Sequence, residues 1–403
     1  MSAKLPEFTD NQYPPDLELR LLQIVHRHGE RTPVRRRLEN LFPAVWNMCE
    51  ANKAMFATIS QFNKQQVDNL YPLSVQRLVD NEGAEKPGSC YYGQLTNLGR
   101  FRMTSLGQRL REVYVNKLQF LPDVFNEENV YIRSTDYPRT QESVQQLIAG
   151  GLYPKGKRPE DFVLKLRIRD PRDDNMFPNP NCYRLRTLAK EFTKTLSELM
   201  KDQCKVLSNK LKNYVQDVSL YSHPSANGIF DTLIAAKMHG FDLPDDIKQD
   251  TLDQLEEVVV KEWFYGAMVS KEVRRLGLGR LMGEIRDRMI RRQEGNEIEG
   301  EEKLKLAVYS GHDTTVAPLL IILDGYDEKW PPFGSAVLFE LFKKKEGKEH
   351  YVRVKYNEKT LELPGCSSVG QHKEGDKTLC TLDAFRKIVK DFIPTDWEKE
   401  CAA

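Results

Sequence analysis

No apolar run in this sequence reaches the ~18–20 residues that a helix needs to cross a bilayer. The longest candidate, Val316 to Leu323, falls far short. The first ten residues lack the apolar core of a secretory signal. Glu7, Asp10 and Asp16 set against Lys4 make a poor mitochondrial presequence. The expectation is a cytoplasmic protein, a mitochondrial one being the alternative, with no integral membrane segment. Charge of one sign is also missing: 60 basic residues face 59 acidic ones, for a net charge of +1. Bulk electrostatics therefore predicts no nucleic-acid partner, and any anion must be recognised by a local cluster. Cysteine is sparse, odd in number and irregularly spaced: Cys49, Cys90, Cys182, Cys204, Cys366, Cys380 and Cys401. No C-x-x-C or Cys/His spacing for zinc occurs, so neither a metal nor a disulfide framework is expected. Internal repeats and low-complexity tracts are absent, and nothing marks an oligomeric state.

Against this background one stretch stands out, Val25-His26-Arg27-His28-Gly29-Glu30-Arg31-Thr32-Pro33. It follows Leu17 to Val25, an apolar run that reads as a buried strand. Gly29 and Pro33 end the strand and force a turn. The histidines and arginines thus sit at the carboxyl end of a strand, the edge where open α/β sheets bind ligands. A neutral imidazole among guanidinium groups suits a phosphate ester, whose oxygens arginine binds with paired hydrogen bonds. Two more strands share this design. Val130-Tyr131-Ile132 leads to Arg133, Ser134, Asp136 and Arg139, with Pro138 opening a helix and Asp136 as its expected cap. Leu304 to Tyr309 leads to Ser310-Gly311-His312-Asp313 at the start of another helix. In a largely parallel sheet these three ends converge.

Helical periodicity also predicts Thr96–Lys117 and a final helix capped by Thr381, and alternation predicts an antiparallel hairpin over 336–342 and 350–356. Residues 156–270 are denser in proline and charge and then mainly helical. This divides the chain into a catalytic α/β core, 1–155 and 271–403, carrying a cap-like insertion at 36–92, and a mainly helical cap domain, 156–270. The expected fold class is a three-layer α/β/α core with a largely parallel central sheet plus the helical cap.

Arg27-His28-Gly29-Glu30-Arg31-Thr32-Pro33 resembles the R-H-G-x-R-x-P signature of the histidine acid phosphatases, and His312-Asp313 resembles their distal H-D pair. The stretch from Arg133 to Thr140 is similar to their R-S-T-D-x-x-R-T segment. Similar stretches at Tyr92–Thr96, Lys329–Phe333 and Leu363–Cys366 extend the likeness over nearly the whole chain. Within the family the likeness is greatest to the lysophosphatidic-acid phosphatases. The resemblance implies a phosphoglycerate-mutase-like fold and hydrolysis of small-molecule phosphate monoesters without a cofactor. It implies His28 as covalent nucleophile, Asp313 as general acid, and Arg27, Arg31, Arg139 and His312 on the phosphate. Neighbouring arginines would keep His28 neutral, and an Asp313 that starts protonated predicts an acidic optimum. Phytase-like hydrolysis of inositol polyphosphates is one alternative. Another is a phosphotransfer mutase, although such enzymes place a glutamate acid near the first motif and lack the distal aspartate. A non-catalytic phosphate-binding protein is the third. His26 shares strand parity with His28, but a packed histidine behind the pocket is the stronger expectation, while Glu30 has no assigned direction. Secreted relatives bridge the positions of Cys366 and Cys380; the longer loop here predicts free thiols.

Overall fold

A computed structural model describes residues 13–49, 54–60, 70–76, 88–160, 162–357 and 359–402. Strand β1 (Leu17–Arg27) lies at the centre of the main sheet. It pairs in parallel with β5 (Leu306–Gly311) on one side and antiparallel with β6 (Ala336–Lys344) on the other. Both its edges are hydrogen-bonded and both faces covered, so the run from Leu21 onward is buried in consecutive positions instead of alternating. Strand β4 (Val130–Ser134) extends the sheet beside β5, also in parallel. The register sets Ser134 opposite Ser310, and Ser310 opposite His26. The carboxyl ends of β4, β5 and β1 are therefore level, and the turns after them open at one place.

Beyond β1 the sheet continues as β6, β7 (His350–Tyr356), β10 (Asp376–Thr381) and β9 (His372–Lys373), with β8 (Lys359–Thr360) added to β7. All these pairings are antiparallel. The parallel character expected for most of the sheet is thus confined to β4, β5 and β1. The loop from Lys345 to Glu349 is too short for the crossover that a parallel β6–β7 pair would need. A separate hairpin, β2 (Ala54–Ser60) with β3 (Leu70–Gln76), falls inside the expected insertion; the rest of 50–87 lies outside the described residues.

Alternate residues of the sheet enter two cores. Leu22, Ile24, Ile132, Val308 and Leu338 pack on α1 (Asn97–Arg111) and α2 (Pro138–Gln145), each continued by a wider π turn. Val25, Ala307, Tyr309, Val337 and Phe339 pack on α7 (Lys271–Glu294), α8 (Asp313–Ile322) and α9 (Leu382–Lys390). Three layers result. The other helices, α3 (Tyr183–Leu199), α4 (Lys201–Leu211), α5 (Ala226–Met238) and α6 (Gln249–Val269), share a distinct apolar cluster with Leu38, Phe42 and Trp46.

Several local expectations change. Tyr137, not Asp136, is the residue before α2; Asp136 is exposed and accepts from Gln141 Nε2 at 2.9 Å. Three disulfides replace the expected free thiols: Cys49–Cys90, Cys182–Cys401 and Cys366–Cys380. Their Cα separations of 5.3, 4.8 and 5.5 Å lie in the range a bridge requires. Spacing hid the second pair because its members are 219 residues apart. They meet where a short terminal helix, α10 (Trp397–Ala402), docks on α3 and α7. Among the described residues Cys204 is the free, buried thiol.

Candidate active site

The turn after β1 is held by backbone contact with the start of α1. A Cβ on Gly99 would fall 2.2 Å from Glu30 O, and one on Gly29 would fall 2.5 Å from Gly99 O. Only glycine permits this approach, and Thr96 caps the helix by accepting from Gly99 N at 3.3 Å. His28 lies in this turn and is 1% exposed. Its Nδ1 is 2.8 Å from Gly29 O. A carbonyl can only accept, so the ring proton sits on Nδ1 and the lone pair on Nε2. The His28 pKa is held well below the usual imidazole value. Burial is the largest cause, followed by Arg139, Arg27 and Arg31. The arginines named as the cause from sequence are therefore second to desolvation.

Arg27 and Arg31 sit one residue before and three after. Arg27 Nη2 pairs with Asp313 Oδ2 at 2.7 Å, and its guanidinium lies 4.1 Å from the Phe333 ring centroid. Arg31 Nη1 pairs with Asp231 Oδ1 at 2.8 Å. Arg139, at the second position of α2, stacks 4.7 Å over Tyr137. A cation there opposes the helix dipole, a placement an anionic ligand would offset. Burial lowers the Arg27 and Arg139 pKa values to about 10, still ionised at neutral pH. Among the described residues, Nε of each of the three arginines is buried without an acceptor. Three unspent donors around one imidazole form a ready anion site.

His312 is the residue before α8, and its ring centroid is 5.6 Å from that of His28. Its Nε2 lies 3.0 Å from Thr135 Oγ1, which in turn lies 2.9 Å from Thr140 Oγ1. The hydroxyls fix the ring plane and can serve either protonation state. Burial and then Arg139 depress its pKa to about 3, against a smaller opposing effect of Asp313. Asp313 follows at the first position of the helix and accepts from Thr314 N at 2.8 Å. Burial pushes its carboxyl up, but Arg27, His312 and Arg31 together hold it below the usual carboxylate value. All six residues expected from the sequence, Arg27, His28, Arg31, Arg139, His312 and Asp313, line one cleft of about 480 Å³.

Other sequence candidates lie elsewhere. Arg133 is buried but turns to the far side, bonding Glu284 at 2.7 Å and Asn175 at 2.6 Å, so it pins β4 to α7. Its neighbour in the strand end, Asp136, is also absent from the cleft wall. His26 does not line the cleft; its Nδ1 donates to Arg27 O at 3.1 Å, and burial lowers its pKa to about 4. Glu30 is fully buried and pairs with Arg102 of α1, away from the cleft. Asp231, on α5, enters the cleft from the cap side and belongs to no sequence motif. Its one signal is a lone carboxylate in the apolar stretch Gly228–Ala236. Phe177, Phe230, Trp263, Trp330 and Phe333 also line it.

A family model, the histidine phosphatase superfamily (branch 2), matches residues 18–357. The chain belongs to this family. A probable acid phosphatase of Schizosaccharomyces pombe is 31% identical over 99% of this chain and 97% of its own length. Lysophosphatidic acid phosphatase type 6 of Bos taurus is 25% identical over 95% of this chain and 86% of its own. The Hafnia alvei phytase shares the fold, with a TM-score of 0.63 at 14% identity over 96% of this chain and 99% of that one. As a branch 2 histidine phosphatase the chain is an acid phosphatase, a hydrolase of phosphate monoesters. No helix among its described residues is long and apolar enough to cross a membrane.

Proposed function

We propose that this phosphatase hydrolyses monoesters with an apolar leaving group, single-chain lipid phosphates such as lysophosphatidic acid among them, through a phosphohistidine on His28. The observation that carries the reading is the division of the cleft wall. Among the described residues the cations of the wall gather around His28, and beyond them the wall includes Phe177, Pro178, Phe230, Ile234, Trp263 and Trp330. A second, largely apolar groove of about 260 Å³ adjoins it and shares Pro178, Trp263 and Pro318. A single acyl chain beyond the glycerol phosphate fits such a wall, and one relative carries lysophosphatidic acid in its name.

Each step can be assigned to side chains. Arg27, Arg31 and Arg139 hold the phosphoryl oxygens, with His312 as a further partner. The His28 Nε2 lone pair attacks phosphorus in line, the N–P bond forms, and the P–O bond to the leaving alcohol breaks. Asp313 supplies the proton to the departing oxygen. Water then attacks the phosphohistidine, giving up its proton to the Asp313 carboxylate as the N–P bond breaks and inorganic phosphate leaves. Guanidinium groups neutralise the transferring group here as metal ions do in other phosphoryl-transfer sites, so turnover should survive a chelator.

Phytase-like action is the second reading, favoured by the fold neighbours. The lining speaks against it: among the described residues no lysine, and no arginine beyond the three around His28, is there for further phosphates of an inositol polyphosphate. A panel of lysophosphatidate, an aryl phosphate, a sugar phosphate and inositol hexakisphosphate tests the choice. Highest kcat/KM for lysophosphatidate supports the lipid reading, and highest for the inositol ester removes it. Three disulfides also favour an oxidising compartment over the cytoplasmic setting expected from the N-terminal residues.

A further inference from the structure

We propose that Asp231 is a positioning residue for phosphate binding, acting from cap helix α5 by holding Arg31 so that one edge of its guanidinium stays turned to the anion. The argument begins with a donor count. Arg31 has five N–H groups. Nη1 is taken by Asp231 Oδ1 at 2.8 Å and by Thr32 O at 3.0 Å. What remains is the edge made by Nε and Nη2, the fork that grips two oxygens of a phosphate. Nε is buried, and among the described residues it meets no acceptor. Arg31 itself is only 6% exposed, so its free edge does not face bulk water.

Asp231 does more than neutralise. Its Oδ2 accepts from Val34 N at 3.0 Å and lies 3.9 Å from Arg37 Nη1. Every polar neighbour of the carboxylate is a donor. A carboxylate, which only accepts, satisfies all of them, whereas an amide would turn a donor against one. The same carboxylate therefore ties a cap helix to both the side chain and the backbone of the turn after β1. A guanidinium already locked loses less rotamer freedom when phosphate arrives. The carboxylate also repels the anion, but it sits on the Nη1 side of Arg31, opposite the free edge. Orientation is accordingly expected to outweigh repulsion.

The test is the dissociation constant of inorganic phosphate, measured by titration calorimetry on the full chain. The set is the parent protein, Asp231→Asn, Arg31→Ala and the double variant. Asp231→Asn is expected to weaken phosphate about tenfold, roughly 1.4 kcal/mol, and to raise KM for an aryl phosphate more than it lowers kcat. In the Arg31→Ala background the same change should add no further loss, because its target is gone. Asp231→Ser, which removes the carboxylate without bringing in an amide donor, should behave alike and covers the case in which the asparagine variant fails to fold. Unchanged or tighter phosphate binding in these variants would overturn the proposal. So would losses that multiply in the double variant, which would make Asp231 a tether of the cap acting independently of Arg31.

Discussion

At His28 two features of the surroundings act on different properties of one imidazole. The Gly29 carbonyl chooses which nitrogen is free, and burial keeps that nitrogen unprotonated. Replacing His28 with Ala removes the proposed attacking atom and is expected to cut kcat by at least about 10⁴-fold with folding intact. Alkaline quench of the parent with labelled substrate should trap a base-stable, acid-labile phosphoenzyme that the variant lacks. Asp313 poses the opposite problem, because it is ionised and paired with Arg27 in the free enzyme. The proton needed by the leaving group must then enter with the substrate monoanion, or pass to Asp313 once phosphate competes for Arg27. Monoesters lose that proton near pH ~6. Activity is accordingly expected to fall as pH rises past this value. On the acid side the depressed His28 pKa keeps the nucleophile neutral to well below the usual imidazole range. A measured kcat/KM profile peaking well above neutrality would remove Asp313 as the acid. Asp313→Asn should slow alkyl phosphates by about 10²–10⁴-fold and p-nitrophenyl phosphate, whose leaving group needs no proton, far less.

On the scale of elements, the site depends on three level strand ends and on helices that start beside them. Helix α1 meets the catalytic turn through Gly99 and Gly29, backbone against backbone. Gly99→Ala would drive a methyl into Glu30 O, which cannot retreat without moving His28. It should cost about 1–3 kcal/mol of stability, read as a lower urea midpoint, together with a loss of kcat/KM. Much of this arrangement was legible beforehand. The apolar run before Arg27, the Pro138 helix start and the polar residues closing each strand are local signals, and all six expected site residues share the cleft. What stayed hidden was long-range. Arg133 looks like a site residue because it stands at a strand end, but its direction is decided by Glu284 on α7. Asp231 looks like an ordinary helix residue until α5 folds over the turn. Alternation did predict the β6–β7 hairpin, but not that β6 would pair antiparallel with β1 and so end the parallel part of the sheet there.

For the molecule as a whole, the bridge between Cys182 and Cys401 closes a loop of 219 residues that includes most of the cap. In the loop-entropy account a native bridge stabilises a domain by about 2–5 kcal/mol. Cys182→Ser with Cys401→Ser should therefore lower Tm measurably by calorimetry, while the aryl-phosphate kcat stays near the parent's because neither cysteine lines the cleft. A Tm equal to the parent's would mean that the other contacts of α10 suffice, among them Arg275 with Glu400 and Trp397 Nε1 with Leu276 O at 2.8 Å. The reaction class was determined by the sequence alone, and the residues proposed as nucleophile and acid were already named there, because short motifs at strand ends carry their own chemistry and need only be brought together. The identity of the cysteine pairs, the turn of Arg133 away from the cleft, the depth to which His28 is buried and the presence of Asp231 beside Arg31 were decided only by the tertiary structure. Each of these depends on which distant segments exclude water from the same place, and no local pattern records that.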